Sequence, residues 1–296
     1  MYKGEYMYEP QVTIITTTSS IVDQDKTDDF TLQINLLARQ TYEYIDHLVI
    51  DNASKDGTEV LLKEYKNSGY IDFYSEPDRG KFEAMNKGLL RAKGEYVAFI
   101  SCDDFYHDVT GIADIVNLME QEQADFCFFP SYCRHPEGYV FQFVPAMLNV
   151  FQVSPCPRQA LFFRKSTLAQ MGGFDEKFKL LADYDLIIRL VLDGYKGVFY
   201  DGTIMTCNLG EQALNHPTQV EAESNHIYYK NYKNLYPLSD QALDRLVKIS
   251  EIPKPLLDKL ATRFPDDREL FYERYEQMYN LRYEAAQAQR AQERGR

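Results

Sequence analysis

The stretch EPDRGKFEAMNKGLLRAKGEYVAFISCDD, residues 76–104, contains the pattern that decides the fold of this chain. After a turn with Pro77 and Gly80, residues 81–92 are predicted to form a helix. Residues 95–100, EYVAFI, form a short and largely apolar run of strand length. The pattern therefore predicts a helix and a buried strand, followed by an acid loop (residues 102–104) that ends in two adjacent aspartates.

The same alternation of strand and helix extends toward the N-terminus. Strands are predicted at residues 12–16, 47–50 and 71–74, and helices at residues 30–40 and 56–67. Such alternation predicts a mostly parallel sheet with helices on both faces. Ligands of such sheets bind beyond the carboxyl ends of the strands, so acids that follow the second and fourth strands should meet there.

The second half of the chain has a different pattern. Short strands are predicted at residues 126–132 and 139–144, paired around a turn at 135–138, and at residues 160–163, 197–200 and 203–209. Helices are predicted at residues 183–192, 219–234, 239–250 and 266–293. Because the strand signals stop near residue 213, we predict an α/β domain over residues 1–212 and a helical C-terminal extension over residues 213–296.

Composition narrows the function classes. The 296 residues carry a formal net charge of −13, which argues against a nucleic-acid partner because such proteins need a basic surface. The five cysteines form no CxxC pair and the five histidines lack zinc-ligand spacing, so reduced and mostly buried thiols are expected. No signal peptide or bilayer-spanning apolar run is visible, so we expect a soluble, cytoplasmic protein.

Asp103 and Asp104 are the first candidates for chemistry. Two adjacent acids after a buried strand are unfavourable unless a positive group binds them. A hard divalent cation, Mn²⁺ or Mg²⁺, favours carboxylate and phosphate oxygens and would neutralise a departing diphosphate. The structural alternative is that the pair lies at a helix N-terminus, where aspartate is common.

Other polar residues near the strand ends allow two interpretations each. Asp51 and Asn52 follow the second strand and either contact a pyrimidine or begin a turn. A carboxylate can accept a hydrogen bond from the N3–H of a pyrimidine such as uracil. Arg79 either offsets diphosphate charge or lies in a solvated turn. Asn86, inside the helix at 81–92, either bonds locally or faces a nucleotide donor.

Asp183 and Asp185 lie together in the segment LLADYDLIIRL. On a helix, residues two apart face different directions, so only one of these carboxylates can point into a cleft. That carboxylate could deprotonate an attacking hydroxyl, whereas the structural alternative for Asp183 is a helix N-cap. Arg189 follows Asp185 by four residues and can pair with it.

Four segments together resemble the inverting family 2 glycosyltransferases, which have the GT-A fold. They are VTIITTT (12–18), QTYEYIDHLVIDNASKDGT (40–58), the stretch at 76–104 and GGFDEKFKLLADYDLIIRL (172–190). The resemblance implies a Rossmann-like mixed sheet flanked by helices, followed by the helical extension. It also implies a hexosyltransferase that takes a hexose or N-acetylhexosamine from a UDP-sugar.

The resemblance assigns a donor pocket. Thr17 would lie beside the nucleobase through its backbone, and Asp51 and Asn52 would border the uracil. Residues 19–29 lack the Tyr-Asn that usually follows the first strand, so base recognition can differ here. Arg158 stands where relatives often have histidine, and it could contact the donor phosphate or an anionic acceptor.

The resemblance also assigns the catalytic groups. Asp103 would lie near the ribose and diphosphate, and Asp104 would coordinate the Mn²⁺ or Mg²⁺. Asp183 would deprotonate the acceptor hydroxyl, which attacks the anomeric carbon from the face opposite the nucleotide. Asp175 matches a position that supports the acceptor side of the site.

The implied acceptor is a glycan or lipid-linked glycan of bacterial surface polysaccharide assembly, such as O-antigen. An aromatic stripe on the last predicted helix, including Phe271, Tyr275 and Tyr279, either packs against protein or rests on a membrane. Peripheral contact with the inner membrane and a homo-oligomer therefore both stay open. The alternative functions are a catalytically inactive nucleotide-sugar-binding protein and a nucleotidyltransferase.

Overall fold

The structure is a computed structural model that describes residues 9–209 and 215–294. The strands are β1 (Val12–Thr18), β2 (Ile45–Asp51), β3 (Asp72–Ser75), β4 (Tyr96–Ser101), β5 (Phe105–Tyr106), β6 (Phe126–Phe128), β7 (Ser131–Arg134), β8 (Val140–Phe143), β9 (Leu161–Arg164), β10 (Gly197–Phe199) and β11 (Met205–Asn208). The α-helices are α1 (Thr27–Leu37), α2 (Thr58–Asn67), α3 (Lys81–Arg91), α4 (Gly111–Glu122), α5 (Lys165–Gln170), α6 (Ala182–Leu192), α7 (Pro217–Tyr232), α8 (Asp240–Ile249), α9 (Lys254–Leu260) and α10 (Arg268–Arg294).

Seven strands form one mixed sheet in the order β10-β6-β9-β4-β1-β2-β3. β1 runs parallel to β2 and β4, and β2 runs parallel to β3. β9 lies antiparallel to both β4 and β6. The predicted mixed α/β sheet is confirmed, and the four adjacent parallel strands β1 to β4 come from the segment in which strands and helices alternate along the chain.

Helices cover both faces of this sheet. On one face, Ile14 of β1 belongs to a buried cluster with Ile115 and Met119 of α4. On the other face, a Cβ added to Gly88 of α3 would come within 2.5 Å of Cγ2 of Ile15. Glycine therefore lets α3 lie close to β1, and β1 is buried on both faces of the sheet.

A smaller sheet has the order β5-β11-β7-β8. β7 and β11 are parallel and place Cys133 opposite Cys207, with 3.6 Å between their sulfur atoms. All five cysteines are free and buried, which confirms the expectation of buried thiols.

One predicted strand is wrong. Residues 126–132 are two strands in different sheets, β6 in the large sheet and β7 in the small one. Pro130 lies between them and has no N–H to donate to a ladder, so the chain leaves one sheet before it joins the other. The predicted pairing across the turn at 135–138 is confirmed by the antiparallel β7–β8 hairpin.

Three α-helices were missed by the sequence analysis: α4, α5 and α9. Pro253 and Pro255 lie at the N-terminal end of α9, where proline fits because the first turn needs no N–H partners. Among the described residues, no helix combines the length and hydropathy needed to cross a bilayer.

Contacts divide the chain into two compact units. The first contains every strand of the described chain and comprises the described parts of Met1–Val144, Arg158–Glu176 and Lys196–Leu209. The second comprises Pro145–Pro157, Lys177–Tyr195 and the described part of Gly210–Arg296. The second unit has its own aromatic core, in which Phe151 contacts the rings of Tyr232 and Phe271. The domain boundary near residue 212 stays a prediction.

Candidate active site

The site begins where three parallel strands end side by side. The register places Thr17 of β1 opposite Ser101 of β4, and Thr18 opposite Asp51 of β2. The backbone N–H of Asn52 donates to the carbonyl of Thr18 at 3.0 Å. The structure thus brings Thr17, Asp51 and Asn52 to the edge from which the acid loop leaves the sheet.

Asp104 is fully buried and its carboxylate accepts three hydrogen bonds. Oδ2 accepts from the backbone N–H of Ser101 at 2.7 Å and from Nε2 of Gln159 at 3.1 Å. Oδ1 accepts from the backbone N–H of Asn208 at 2.9 Å. This carboxylate ties β4, the Gln159 segment and β11 together, is shielded from solvent and has about one of its four lone-pair sites left.

The charge on Asp104 is unfavourable despite these hydrogen bonds. Burial raises its pKa to about 6, and the neighbouring charge of Asp103 adds to the effect. The guanidinium of Arg158 acts in the opposite direction and lowers the pKa, as do the backbone donors. The acid loop is therefore a place where added positive charge is stabilising.

Asp103 has a different environment. Its Oδ2 forms an ion pair with Nζ of Lys26 at 2.8 Å, and its side chain retains 10% of its exposure. Lys26 precedes α1, and its own side chain is 33% exposed. Burial lowers the pKa of Lys26, but its hydrogen bond to Asp103 and the nearby negative charge leave that pKa raised. Lys26 is a site residue that the sequence analysis missed.

The buried side-chain amide of Gln33 supports the acid loop through hydrogen bonds. Nε2 of Gln33 in α1 donates to the carbonyls of Ser101 and Asp104 at 2.6 and 2.5 Å. Its Oε1 accepts from the Thr16 hydroxyl at 3.0 Å, and that hydroxyl lies 2.8 Å from Nε2 of His47. Burial lowers the pKa of His47 to about 3, so the ring is neutral. Because the only hydroxyl proton of Thr16 goes to Gln33, Nε2 of His47 must carry the ring proton.

Arg158 brings a second cation to the acid loop. Its Nη2 donates to Oγ of Ser101 at 2.9 Å. Its Nε is buried without a hydrogen-bond partner in the described part of the chain. A guanidinium with an unused buried donor is suited to an anionic ligand because five N–H groups are available in one plane.

Asp51 and Asn52 hold the turn after β2. The Asp51 carboxylate is fully buried and accepts from the backbone N–H and hydroxyl of Ser54 and from the hydroxyl of Ser75. Oδ1 of Asn52 accepts from the backbone N–H of Asp78 at 2.8 Å. These contacts fix both residues at the sheet edge.

Arg79 and Asn86 lie around a second carboxylate, Glu176. Arg79 is exposed and pairs with Glu83 at 2.6 Å and with Glu176 at 2.8 Å. Asn86 donates to Glu176 and exchanges two hydrogen bonds of 2.9 Å with the backbone of Phe174. Both side chains therefore attach α3 to the segment at 172–176.

In the helical unit, Asp185 is fully buried and surrounded by donors. It accepts from Nε of Arg189 at 2.9 Å, which confirms the predicted pair four residues apart. It also accepts from Nζ of Lys230 at 2.9 Å and from Nδ2 of Asn231 at 2.9 Å, both on α7. Asp185 is an anchor between α6 and α7 and is not available to a substrate.

Asp183 lies in the first turn of α6 and is only partly buried. Its Oδ1 accepts from the neighbouring backbone N–H of Tyr184 at 2.9 Å. Of the two acids on this helix, Asp183 is the one that retains solvent access and open hydrogen-bonding capacity.

The chain leading to Asp183 is held by another buried carboxylate. Glu223 of α7 accepts from the successive backbone N–H groups of Lys179, Leu180 and Leu181 at 2.9, 3.0 and 3.0 Å. Three convergent N–H groups form a strong anion-binding concavity. Glu223, which the sequence analysis did not single out, therefore fixes the backbone immediately before α6.

Comparison with known proteins agrees with this architecture. The sequence profile of the family described as Glycosyl transferase family 2 matches residues 31–174. An uncharacterized glycosyltransferase of Mycobacterium tuberculosis is 28% identical over 190 residues, which cover 62% of this chain and 70% of the relative.

Solved structures give the same result for the fold. S. aureus TarS 1–349 in complex with UDP-GlcNAc has a TM-score of 0.60 at 15% identity, covering 94% of this chain and 92% of that one. The chain spans 54% of a longer TarS structure. The mannosyltransferase PcManGT of Pyrobaculum calidifontis, in complex with GDP-Man and Mn²⁺, has a TM-score of 0.55 at 17% identity, covering 94% and 85%.

The mixed sheet flanked by helices is thus the GT-A fold, as the sequence predicted. The profile match and the relatives support a family 2 glycosyltransferase, and therefore a transferase enzyme.

The residues of the acid loop fit a divalent ion only when the ion is bound together with a diphosphate. Among the described residues, no group of three or more His, Cys, Asp or Glu side chains could hold a metal ion. An ion that arrives on a nucleotide needs less, because one or two carboxylates and the substrate phosphates complete its coordination. Asp103 supplies one such oxygen, now paired with Lys26. The residues therefore fit an ion bound together with a diphosphate.

Proposed function

We propose that this glycosyltransferase moves a hexose or N-acetylhexosamine from a UDP-sugar to a hydroxyl of a glycan acceptor, with inversion. The observation that carries the proposal is the acid loop flanked by two cations, Lys26 against Asp103 and Arg158 against Ser101. Two fixed cations beside a carboxylate that can bind a metal ion form a favourable site for a diphosphate, because the charge of the diphosphate must be neutralised when it departs. The UDP-GlcNAc complex of the structural neighbour TarS supports the choice of nucleotide.

The nucleobase would lie at the ends of β1 and β2. Backbone groups of Thr17 and the side chains of Asp51 and Asn52 border this position. Asp51 accepts its hydrogen bonds from Ser54 and Ser75. Because an ionised carboxylate has about four lone-pair sites, it retains one for uracil N3–H.

The diphosphate would lie over the acid loop. Asp103 would hold a bound Mn²⁺ or Mg²⁺, which supplies charge neutralisation for the departing UDP. Asp104, fully buried and already bonded to three donors, is less accessible to the ion and keeps the loop in shape. Arg158 donates its unused N–H groups to the phosphates. Arg79 and Asn86 act indirectly, since their contacts position the segment at 172–176.

Asp183 is the proposed base. It takes the proton from the acceptor hydroxyl while that oxygen forms a bond to the anomeric carbon. The bond between the anomeric carbon and the UDP oxygen breaks, and its electron pair leaves with UDP. Asp185 cannot perform this role because it is fully buried and bonded to Lys230, Arg189 and Asn231.

The acceptor and cellular place are proposed from the family resemblance. A lipid-linked intermediate of surface polysaccharide such as O-antigen would bring the enzyme to the inner membrane as a peripheral protein. A homo-oligomer stays a prediction.

A ligand screen by thermal unfolding tests the proposal. UDP, UDP-sugars, GDP-mannose and nucleoside triphosphates are each added with Mn²⁺ and with EDTA. A ligand at 100 times its dissociation constant stabilises the folded state by about 2.7 kcal/mol, so a UDP-sugar should raise the melting temperature. Product formed from the binding sugar should have the opposite anomeric configuration by NMR. A response to triphosphates alone would instead favour nucleotidyl transfer, and binding without turnover would favour an inactive binding protein.

A further inference from the structure

We infer that Lys26 is a resident cation of the acid loop: it occupies the Asp103 carboxylate in the free enzyme and becomes a ligand of the donor diphosphate. The inference rests on the proposed function, because it names a further phosphate-binding residue of the same site. It also predicts the order in which the site fills, with the divalent ion entering together with the nucleotide and not before it.

The backbone holds Lys26 in place. Its N–H donates to the carbonyl of Ile21 at 3.0 Å, and its carbonyl accepts from the N–H of Phe30 at 2.9 Å. The side chains of Ile21 and Phe30 are fully buried in one cluster with Cys102 of the acid loop. Lys26 is therefore attached to the core on both sides and positioned before any ligand binds.

The loop that carries Lys26 is also hydrogen-bonded to the loop after β2. The N–H of Ser20 donates to Oγ of Ser54 at 2.7 Å, and the N–H of Asp23 donates to Oδ2 of Asp56 at 2.8 Å. Ser54 in turn donates to Asp51, which borders the proposed uracil position. The cation and the base-binding edge thus belong to one hydrogen-bonded framework, so a bound nucleotide would meet Lys26 at a fixed distance from the base.

The ammonium has capacity for a second anion. It has three donors, and in the described part of the chain Asp103 is the carboxylate within ion-pair distance, at 2.8 Å. The Lys26 side chain is two-thirds buried yet still 33% exposed, so a ligand can reach it. A phosphate oxygen beside Asp103 would find a partly desolvated cation, where charge-assisted hydrogen bonds are strongest.

Lys26 and a divalent ion compete for the carboxylate of Asp103. Asp104 is fully buried and already accepts from Ser101, Gln159 and Asn208, whereas Asp103 keeps 10% of its side-chain exposure, so Asp103 is the more accessible carboxylate of the acid loop for a cation. An ion that binds Asp103 without a nucleotide must displace the ammonium and remain beside it, which is unfavourable between like charges. A diphosphate removes the conflict because its oxygens can satisfy the ammonium and the ion together.

Calorimetry on the full chain tests the inference, because one variant should bind UDP more weakly and Mn²⁺ more tightly than the wild type. Lys26→Met keeps the side-chain length and removes the charge. UDP affinity in EDTA should fall about tenfold, since a charge-assisted hydrogen bond to the diphosphate is lost. Affinity for Mn²⁺ alone should rise about tenfold as the competitor is removed. Lys66→Met is the matched control, because it deletes another lysine–aspartate pair of the same unit, Lys66 with Asp72 at 3.1 Å.

A second variant separates charge from packing. Lys26→Arg keeps the cation and should bind UDP within about threefold of the wild type. If Lys26→Met binds both ligands like Lys66→Met, or if the arginine variant loses UDP affinity equally, the inference is wrong. If the wild type binds no nucleotide at all, the proposed function fails, whereas a gain of Mn²⁺ affinity in Lys26→Met would still establish the competition at Asp103.

Discussion

The two acid pairs of this chain, Asp103 with Asp104 and Asp183 with Asp185, follow the same rule in different units. In each pair one carboxylate is fully buried and accepts several hydrogen bonds, and these are Asp104 and Asp185. The other member keeps some exposure and has few partners. Each pair therefore consists of a buried anchor and a carboxylate that stays accessible to a ligand.

The anchors differ in what surrounds them. Asp185 is neutralised by two cations, Arg189 and Lys230. Asp104 has mainly neutral amide donors around its oxygens, and burial raises its pKa to about 6. Asp104 should therefore respond to a change of pH and to any cation brought near the acid loop.

The largest effect should come from the exposed member of the second pair. Asp183→Asn removes the proposed base and should lower kcat by about 10²–10⁴-fold while leaving the affinity for UDP unchanged. Steady-state kinetics and calorimetry measure the two quantities. Asp193→Asn, an exposed acid just after the same helix, is the control. Near-normal turnover by Asp183→Asn would show that the base lies elsewhere.

The buried member of that pair should matter for stability instead. Asp185→Ala leaves Lys230 and Arg189 without their shared carboxylate and should lower the free energy of unfolding by about 3–5 kcal/mol. Asp183→Asn should change it by less than about 0.5 kcal/mol. Urea unfolding of both variants makes the comparison, and similar losses in the two would contradict the division between anchor and ligand-binding group.

Asp104 should give a pH dependence of defined sign. Its pKa lies near 6 in the folded chain against an ordinary value of 3.8, so the folded state binds the proton more tightly. Metal-free protein should therefore gain stability from this group as pH falls from about 6 to about 4, by at most roughly 3 kcal/mol. The gain should be absent in Asp104→Asn. If the difference in the free energy of unfolding between the wild type and Asp104→Asn stays constant between these pH values, the pKa of Asp104 is not raised.

The smallest effect concerns the exposed member of the first pair. In Asp103→Asn, Mn²⁺ should no longer strengthen UDP binding, and the affinity measured with Mn²⁺ should fall about tenfold. Asp201→Asn, which makes the same charge change at an exposed position of the same unit, should behave like the wild type. Persistence of the Mn²⁺ effect in Asp103→Asn would exclude Asp103 as the residue that holds the ion.

The sequence was sufficient to predict the sheet edge. Alternation of strands and helices brings the residues after β1, β2 and β4 together, and the register of Thr17, Asp51 and Ser101 agrees with that expectation. It was not sufficient to predict which acid of each pair is the anchor. The donors that decide this, such as Asn208 for Asp104 and Lys230 for Asp185, come from distant parts of the chain.

One supporting residue could have been found from the sequence. Phe30, Ile34 and Leu37 form the buried stripe of α1, and Gln33 lies within it at helical spacing. A glutamine in such a stripe needs buried partners, which here are the carbonyls of the acid loop. Lys26 carried no comparable signal, because its role depends on how the loop at 19–26 folds back onto the core.

The neighbouring thiols of Cys133 and Cys207 give the molecule an intrinsic reporter. Both are fully buried, and Cys207 precedes Asn208, whose N–H holds Asp104. An alkylating reagent can reach these sulfurs only when the strands of the small sheet separate. The rate of thiol modification in native buffer therefore measures how often the support of Asp104 opens, and slower modification in the presence of UDP would show that the ligand closes it.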